Sequence, residues 1–243
     1  MVYEHASGGG LAGEAIPLGL LSEGFAMLRS FIHDLKSEGH DITTILDSRL
    51  KPLSVLLKAG QMVNSKRELL KTLGRTASSS EAVYIIAPES DDTLPSLIET
   101  VEESGGVSLN CTPDVIRAVA DKAKIHKDLG KAGLNVPETV EVDINENSSK
   151  MGEIVKDLGL PVIFKPADGV SCAGLSLVKT MNQIPTAVQK VKHETKGKYF
   201  LIQKFIHGIN ASVSLIATPQ KAIALTLNMQ RVRLASPNRE SSY

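Results

Sequence analysis

The sequence predicts two domains, the first a doubly wound α/β domain and the second of the α+β type. Two observations support this. Segments with strand and helix patterns alternate through the first half, and strands joined through helices lie parallel in one sheet. After Thr112-Pro113-Asp114 the pattern changes to pairs of consecutive strands. The 243 residues contain no repeat of fixed period, which excludes solenoids, propellers and coiled coils.

The first half carries a clear series of predicted elements. They are, in order, a strand at 2–5, a helix at 23–35, strands at 42–46 and 82–87, a helix at 94–103 and a strand at 107–109. The run at 82–87 is continuously apolar and stops at Pro88, as expected for a strand that is buried on both faces. We therefore expect residues 1–112 to form one domain with an open, parallel sheet.

The second half begins at a strong helix start. Thr112 offers a capping hydroxyl, and Pro113 suits the first helical position because its missing N–H would be unpaired there. The predicted elements are a helix to residue 132, an extended segment at 137–142, a helix at 149–158, strands at 162–165 and 175–178, a helix at 182–191, and strands at 199–205, 211–217 and 222–227. This order predicts an α+β domain that starts at residue 113.

The composition excludes several classes of function. The 27 basic and 27 acidic side chains cancel, so no global field attracts nucleic acid or an anionic membrane. Aromatic residues make up 4% and tryptophan is absent, which argues against stacking platforms for single-stranded bases. The two cysteines have no zinc or redox spacing, and no stretch is long and apolar enough to span a membrane. We expect a soluble, cytoplasmic protein, and the sequence leaves open whether it forms a homodimer.

A glycine-rich segment follows the first predicted strand. Residues 8–13 match the pattern G-x-G-x-x-G, but residues 14–17 interrupt the helix that a dinucleotide site needs, and Asp47 lies too far along the chain. We interpret the segment as a loop at the carboxyl edge of the sheet that lines a substrate cleft, with Ser7, Gly8 and Gly9 as candidate contacts. An NAD-dependent dehydrogenase remains the competing hypothesis for this loop.

The strongest chemical signal lies at residues 161–175. An apolar strand ends at Lys165, a loop of small residues follows, and a second strand resumes directly. Gly169 and Gly174 allow backbone N–H groups to approach phosphate oxygens, and Lys165 supplies a positive charge that an ordinary buried strand would not tolerate. We therefore predict a strand-loop-strand hairpin that binds a polyphosphate. The alternative is a lysine that extends to solvent beside an ordinary hairpin.

From about residue 112 onwards the sequence resembles the ATP-grasp ligase family. Asp121-Lys122 is similar to the family's first lysine motif, and Lys165 matches its second lysine. Residues 167–174 are similar to the loop that covers the phosphates, and residues 203–210 to the hinge strand that holds adenine. The ATP contacts that the resemblance implies are Lys122, Lys165, Asp168, Gly169, Ser171, Gly174, Gln203, Lys204, Phe205, Ile206 and Asn210.

The resemblance also implies an architecture and two departures from the family pattern. Residues 1–112 would form the pre-ATP-grasp domain, 113–198 the central ATP-grasp subdomain with its phosphate loop, and 199–243 the start of an incomplete C-terminal subdomain. Family members usually have glutamate where this chain has Gln203, and an acid where it has Asn210. Both amides still accept hydrogen bonds. The chain is then either a truncated version of a longer enzyme or a natural short form.

The activity implied by the resemblance is that of an ATP-dependent carboxylate–amine ligase, acting through an acyl phosphate with ATP and Mg²⁺ as cofactors. The substrates would be a small-molecule carboxylate and an amine. The family's magnesium ligands, an acid and a Glu-x-Asn pair on late strands, have no counterpart here, so no metal ligand is identifiable. The alternative is a module that binds ATP or ADP without ligase turnover.

Residues near the end of the chain and in the first half refine this expectation. Asn228, Gln230 and Arg231 are candidate contacts to phosphate or substrate, with an ordinary edge strand as the equal alternative. Segments 3–9, 21–28 and 46–49 are similar to archaeal ligases that join amines to amino acids, the tyramine–L-glutamate ligase group. This similarity implies glutamate as the carboxylate and tyramine as an example of the amine.

Overall fold

The computed structural model describes residues 1–58, 60–168, 172–195 and 197–239. The chain divides into two compact units, Met1–Ala120 and Asp121–Tyr243. This division lies later than the predicted boundary after residue 112. The reason is a helix at Pro113–Ala120, which packs on the preceding helix and buries Ile116 in the core of the first unit.

The first unit alternates short parallel strands with helices. Its strands are Val2–Glu4 (β1), Ile45–Asp47 (β2), Gln61–Val63 (β3) and Tyr84–Ile86 (β4), and its helices are Leu18–Ser37 (α1), Ser54–Leu57 (α2), Lys66–Ser78 (α3), Thr93–Glu103 (α4) and Pro113–Ala120 (α5), with 3₁₀ turns at Ser48–Leu53 and Ser90–Asp92. β1 pairs in parallel with β4, and β2 with β3. The N–H of Val2 donates to the carbonyl of Thr43, just before β2.

Both faces of these strands are buried, as a doubly wound sheet requires. Successive side chains of a strand point to opposite faces. Tyr3 and Ile45 accordingly lie in one apolar cluster with residues of α3 and α4, whereas Val2 and Leu46 lie in another with residues of α1 and α2. The structure thus confirms the predicted α/β class of the first unit.

The second unit is built on a mixed set of helices and antiparallel strands. Its helices are Lys122–Lys131 (α6), Ser148–Leu158 (α7) and Ile184–Glu194 (α8), with a 3₁₀ turn at Met181–Gln183, and its strands are Thr139–Asp143 (β5), Val162–Pro166 (β6), Ser176–Val178 (β7), Tyr199–Lys204 (β8), Ala211–Ala217 (β9) and Ala222–Met229 (β10). Four strands form one antiparallel sheet in the order β5-β8-β6-β7, and β9 pairs with β10. The predicted hairpin of β6 and β7 is confirmed.

The two faces of the four-stranded sheet differ in character. Phe164, Phe200 and Ile202 are buried in an apolar cluster with residues of α7 and α8. The alternate positions on β6 and β8, which include Lys165 and Gln203, therefore lie on the opposite face. That second face carries the polar side chains of interest.

The predicted helix from residue 113 to 132 is wrong, because the structure contains two helices there. Asp121 has an extended conformation between α5 and α6, with φ −77° and ψ 100°. Its carboxylate accepts hydrogen bonds from the N–H groups of Ala123 and Lys124, both at 2.9 Å, and so caps α6. An aspartate at this position begins a helix instead of continuing one.

The β9–β10 hairpin has one apolar face and one mixed face, which carries Ser214 and the pair Ile216–Ile223. The cross-strand pairs Val213–Leu227 and Leu215–Ala224 lie on the apolar face, where Leu227 is 77% exposed. On the other face Asn228 Nδ2 donates to Ser214 Oγ at 2.8 Å. In the parts of the chain that the structure describes, no helix has the length and apolar character needed to cross a membrane.

Candidate functional site

Lys165 is the charged end of an otherwise apolar strand. Val162 and Phe164 of β6 are fully buried, and Lys165 itself is half-buried. Its ammonium group donates a hydrogen bond to Gln203 Oε1 at 3.0 Å, across the β6–β8 pair. Among the residues described, Lys165 forms no ion pair, and its hydrogen-bond partner is a neutral amide. A half-buried cation without a counter-charge is unfavourable unless something anionic binds there.

Lys122 lies close enough to Lys165 to act on its charge. Lys122 begins α6, and its backbone N–H donates to the carbonyl of Ala167, just beyond the end of β6, at 3.2 Å. Burial, and then the positive charge of Lys122, hold the pKa of Lys165 below its ordinary value. The structure therefore brings the two predicted lysines into one electrostatic neighbourhood within the second unit.

Two side chains that sequence reasoning missed complete the surroundings of Lys165. Gln203 Nε2 donates to Thr139 Oγ1 at 2.7 Å. His126 Nε2 lies 3.1 Å from the same hydroxyl and 2.6 Å from the carbonyl oxygen of Pro137. Thr139 stands directly opposite Gln203 in the β5–β8 register. The only sequence signal for it was its place in the predicted extended segment at 137–142.

The loop after Lys165 is only partly described. Gly169 and Ser171, two of the predicted ATP contacts, lie outside the described residues. Asp168 accepts hydrogen bonds from Thr195 Oγ1 at 2.6 Å and from the N–H of Gly197 at 3.1 Å. Its carboxylate thus ties the start of the loop to the connection between α8 and β8.

Gly174 is required by packing at the far end of the same loop. Its φ is +70°, in the left-handed region. A Cβ atom at this position would lie 2.9 Å from Pro166 Cγ and 2.9 Å from Glu194 Cβ. Any larger residue here would displace the loop from the end of β6.

The predicted adenine-binding segment follows Gln203 at the end of β8. The N–H groups of Lys204 and Phe205 already donate to the carbonyls of Glu138 and Pro161, at 2.8 and 3.1 Å. Within the described ranges the N–H of Ile206 has no intramolecular partner. Of the backbone donors predicted to read a base edge, Ile206 is therefore the one that remains available.

Several predicted contact residues on the β9–β10 hairpin form hydrogen bonds within the hairpin. The carbonyl of Asn210 accepts from the N–H of Gln230 at 2.8 Å, which closes the open end of β9 and β10. The side chain of Asn228 donates to that of Ser214, and Arg231 is exposed. None of the described contacts joins Asn228, Gln230 or Arg231 to Lys165.

The glycine-rich loop of the first unit is held by a buried carboxylate. Glu4 is 4% exposed and accepts hydrogen bonds from the N–H groups of Ala6 and Ser7, both at 2.8 Å, and from Ser7 Oγ at 2.6 Å. Gly8 packs so tightly that an added Cβ would lie 2.3 Å from the carbonyl oxygen of Glu4. Gly9 has a φ of +92°, which other residues rarely adopt.

Arg49 fastens the far side of the same loop, a role that the sequence analysis did not assign. Its guanidinium binds the buried carboxylate of Asp47 in a bidentate manner, with Nε–Oδ1 and Nη2–Oδ2 distances of 2.8 and 2.7 Å. It also donates to the carbonyls of Leu11 and Glu14, at 2.9 and 2.6 Å. These hydrogen bonds from Arg49 hold the pKa of Asp47 below its usual range.

The side chains that the structure describes contain no group of three or more His, Cys, Asp or Glu residues that would hold a metal ion. The expectation of magnesium, which came from the family resemblance, therefore finds no fitting donor set in this part of the chain. We derive no step through a metal.

Comparison with known proteins assigns both halves of the chain. Residues 119–242, slightly more than half of the sequence, match the profile of the ATP-grasp domain, and residues 40–116 match that of the pre ATP-grasp 3 domain. Among curated proteins, biotin carboxylase of Haemophilus influenzae is 30% identical over 101 residues, which cover 42% of this chain and 22% of that protein. D-alanine–D-alanine ligase of Azobacteroides pseudotrichonymphae is 30% identical over 95 residues, 39% of this chain and 29% of that one.

Solved structures show the same fold. Biotin carboxylase from Campylobacter jejuni, in complex with a β,γ-ATP ligand, aligns with a TM-score of 0.65 at 15% identity, over 82% of this chain and 47% of that one. The chain thus spans about half the length of that structure, and less than a third of the two curated relatives.

Proposed function

Because the chain belongs to the ATP-grasp family, we propose that its second unit binds the phosphates of ATP at Lys122 and Lys165, and that the whole protein is a carboxylate–amine ligase. One observation carries this proposal. Lys165 is desolvated, stands near a second cation and has a neutral amide as its hydrogen-bond partner. An anion with several charged oxygens would compensate the desolvated charge of Lys165, offset its repulsion with Lys122 and supply a charged hydrogen-bond acceptor.

The proposed site divides the nucleotide between two parts of the second unit. The lysines would hold phosphate oxygens, and the loop that starts at Asp168 and ends at Gly174 would lie over them. The free N–H of Ile206, beyond the end of β8, would donate to a ring nitrogen of adenine. Phosphoryl transfer needs mainly positioning and charge neutralisation, which these groups are suited to provide.

The proposed reaction has two steps. A carboxylate oxygen of the substrate attacks the γ-phosphorus of ATP, the bond to the β,γ-bridging oxygen breaks, and ADP leaves. The amine nitrogen then attacks the acyl carbon, the carbon–oxygen bond to phosphate breaks, and the nitrogen loses a proton as the amide forms. Products are amide, ADP and inorganic phosphate. Lys165 would neutralise charge on the transferring phosphoryl group in the first step.

We further propose that glutamate is the carboxylate substrate and an amine such as tyramine its acceptor. The support is the similarity of segments 3–9, 21–28 and 46–49 to archaeal ligases of this kind. In the structure these segments belong to the glycine-rich loop, to α1 and to the Asp47–Arg49 pair that fastens the loop. The candidate contacts Ser7, Gly8 and Gly9 of this loop are buried in the structure, and the hydroxyl of Ser7 donates to Glu4.

The first experiment measures the thermal stabilisation of the protein by ATP. A ligand at 100 times its Kd stabilises the folded state by about 2.7 kcal/mol. We expect Lys165→Ala to abolish this stabilisation. Lys156→Ala is the matched control, because Lys156 is an exposed lysine of α7 on the other side of the sheet. Equal stabilisation of both variants by ATP would contradict the proposed site.

A second measurement separates a ligase from a module that only binds nucleotide. ADP release is followed with ATP, glutamate and a panel of amines, with tyramine first. Release that requires both glutamate and an amine supports the ligase. Stabilisation by ATP without release for any pair of substrates supports the binding module and contradicts the proposed reaction.

A further inference from the structure

We propose that Thr139 is a positioning residue for Lys165: its hydroxyl fixes the side-chain amide of Gln203 so that the oxygen, and not the NH₂ group, faces the lysine. This proposal deepens the proposed function, since the oriented lysine is the one assigned to phosphate. It rests on a chain of hydrogen bonds from Pro137 through Thr139 and Gln203 to Lys165.

The sheet register places the three side chains in one path. Thr139 is directly opposite Gln203 in the β5–β8 pair, and Gln203 is opposite Ile163 in the β8–β6 pair. Lys165 is two residues beyond Ile163 and so lies on the same face, diagonal to Gln203. The amide of Gln203 thus has the hydroxyl on one side and the ammonium on the other, at 2.7 and 3.0 Å.

The protons of this path are determined by the carbonyl of Pro137. A carbonyl oxygen only accepts, so the 2.6 Å contact from His126 Nε2 requires a proton on that nitrogen. His126 Nε2 is then a donor and cannot accept from Thr139. The hydroxyl proton of Thr139 goes to the same carbonyl, at 2.9 Å, and its lone pairs face Gln203.

This assignment orients the amide of Gln203. Only an N–H group satisfies the lone pairs of Thr139, so Nε2 points to Thr139 and Oε1 points to Lys165. In the opposite orientation two donors, the NH₂ group and the ammonium, would meet at about the same distance. Without the hydroxyl nothing on this side selects between the two orientations.

The orienting hydroxyl of Thr139 matters because the side chain at position 203 is an amide. A carboxylate has two equivalent acceptor oxygens, so its rotation by 180° would change nothing for Lys165. Glutamine presents an acceptor oxygen to Lys165 only when its amide is oriented, as it is here. The residue pair Thr139 and Gln203 therefore works as a unit.

The experiment measures the pKa of Lys165 in the ligand-free protein, by NMR of ¹³C-methylated lysines with the signal assigned from Lys165→Arg. We expect Thr139→Val to lower this pKa by about one unit, which is a tenfold change in the ratio of charged to neutral Lys165 at a given pH. Thr139→Ser keeps the hydroxyl and should retain the wild-type value. Thr139→Ala replaces the valine variant if that variant does not fold.

The decisive comparison measures the effect of Thr139→Val on the pKa of Lys165 again in a protein that also carries Gln203→Glu. Gln203→Glu should raise the pKa of Lys165, and Thr139→Val added to it should leave the pKa unchanged. A value unaltered by Thr139→Val in the Gln203 background would overturn the proposal. An equal shift in both backgrounds would do so as well, since it would mark a general structural effect.

Because no nucleotide is present, this test does not depend on ATP binding. A titration of the same variants with ATP follows. If the pKa of Lys165 changes as expected but ATP binds neither to the wild type nor to any variant, the positioning role stands and the proposed function fails. If ATP binds to the wild type but the pKa is indifferent to Thr139, the proposed function stands and the positioning role fails.

Discussion

The glycine-rich loop of the first unit and the lysine site of the second both contain buried charge, but they treat it in opposite ways. Glu4 and Asp47 accept hydrogen bonds from backbone groups, a hydroxyl and a bidentate guanidinium. Lys165 has one amide oxygen as acceptor and a second cation nearby. In the first region the carboxylates are satisfied by hydrogen bonds within the fold, whereas Lys165 has no counter-ion among the residues that the structure describes.

This difference separates a structural role from a binding role. Removing one partner of a matched buried charge leaves the other uncompensated, so the fold depends on it. A desolvated cation with no counter-ion contributes little to the fold, and its perturbed pKa marks a candidate binding group. We therefore expect substitutions in the first region to lower stability, and those at Lys165 to lower ligand binding.

Among the charged residues of the two regions, the largest expected effect on stability is that of Asp47→Ala. The Asp47 side chain is 2% exposed, and it accepts from the N–H of Arg49 as well as from the guanidinium. Arg49 is 43% exposed and can be solvated once released, so we expect a loss of about 2 kcal/mol in the free energy of unfolding. Urea denaturation measures it.

Asp114→Ala is the matched control in the same unit. Asp114 is 98% exposed and reaches Arg117 only at 3.8 Å, so its removal should leave stability unchanged. Equal midpoints for the two variants would show that the buried pair does not hold the loop, and the contrast between the regions would then be lost.

The same contrast explains which parts of the site could be predicted from sequence. Lys165 ends a run of core residues and precedes small residues, and that local pattern is sufficient to single it out. Thr139 meets Gln203 across 64 residues, and Arg49 meets Leu11 across 38. Such pairs depend on register and loop path, which periodicity does not encode.

Two further aspartates have hydrogen-bond partners that the sequence did not predict. Asp121 caps a new helix where one continuous helix to residue 132 was expected. Asp168, predicted to contact ATP, is bound by Thr195 and Gly197, residues that follow a helix not adjacent to it in sequence. The Asp121 cap is local, whereas the partners of Asp168 lie 27 and 29 residues along the chain, and the predicted ATP contact of Asp168 stays a prediction.

A smaller effect is expected at an exception in the first region. Tyr3 lies beneath Gly8, fully buried, and its hydroxyl has no hydrogen-bond partner among the residues described. Tyr3→Phe removes that unpaired group and should raise the free energy of unfolding by about 1 kcal/mol. Chemical denaturation at neutral pH tests this, and a loss of stability would show that the hydroxyl is satisfied, for example by water.

The pH dependence of the same variant gives an independent check. Burial, and then the charge of Glu4, raise the pKa of Tyr3. The unfolded chain loses this proton near pH 10 and the folded chain keeps it, so the folded state binds more protons there and stability falls as the pH rises further. Tyr3→Phe should lack this part of the alkaline loss.

Apart from the exposed control at Asp114, the smallest expected change in stability is that of Lys165→Met, which tests the comparison most directly. Methionine removes a desolvated cation but leaves Gln203 Oε1 without its partner, so we expect the free energy of unfolding to stay within about 1 kcal/mol of the wild type. Leu201→Ala, at the position paired with Lys165 in the register and 1% exposed, should instead cost about 2–5 kcal/mol.

The dependence of stability on alkaline pH shows whether Lys165→Met removes an unfavourable charge from the folded protein. The folded pKa of Lys165 is lowered by burial and then by Lys122, whereas the unfolded value is about 10.4. Between the two values the unfolded chain binds the extra proton, so wild-type stability gains from Lys165 as the pH rises. Lys165→Met should lack that gain. If the free energy of unfolding depends on pH in the same way for the wild type and the variant, the charge of Lys165 is already compensated within the fold. The proposed difference between the two regions would then not exist.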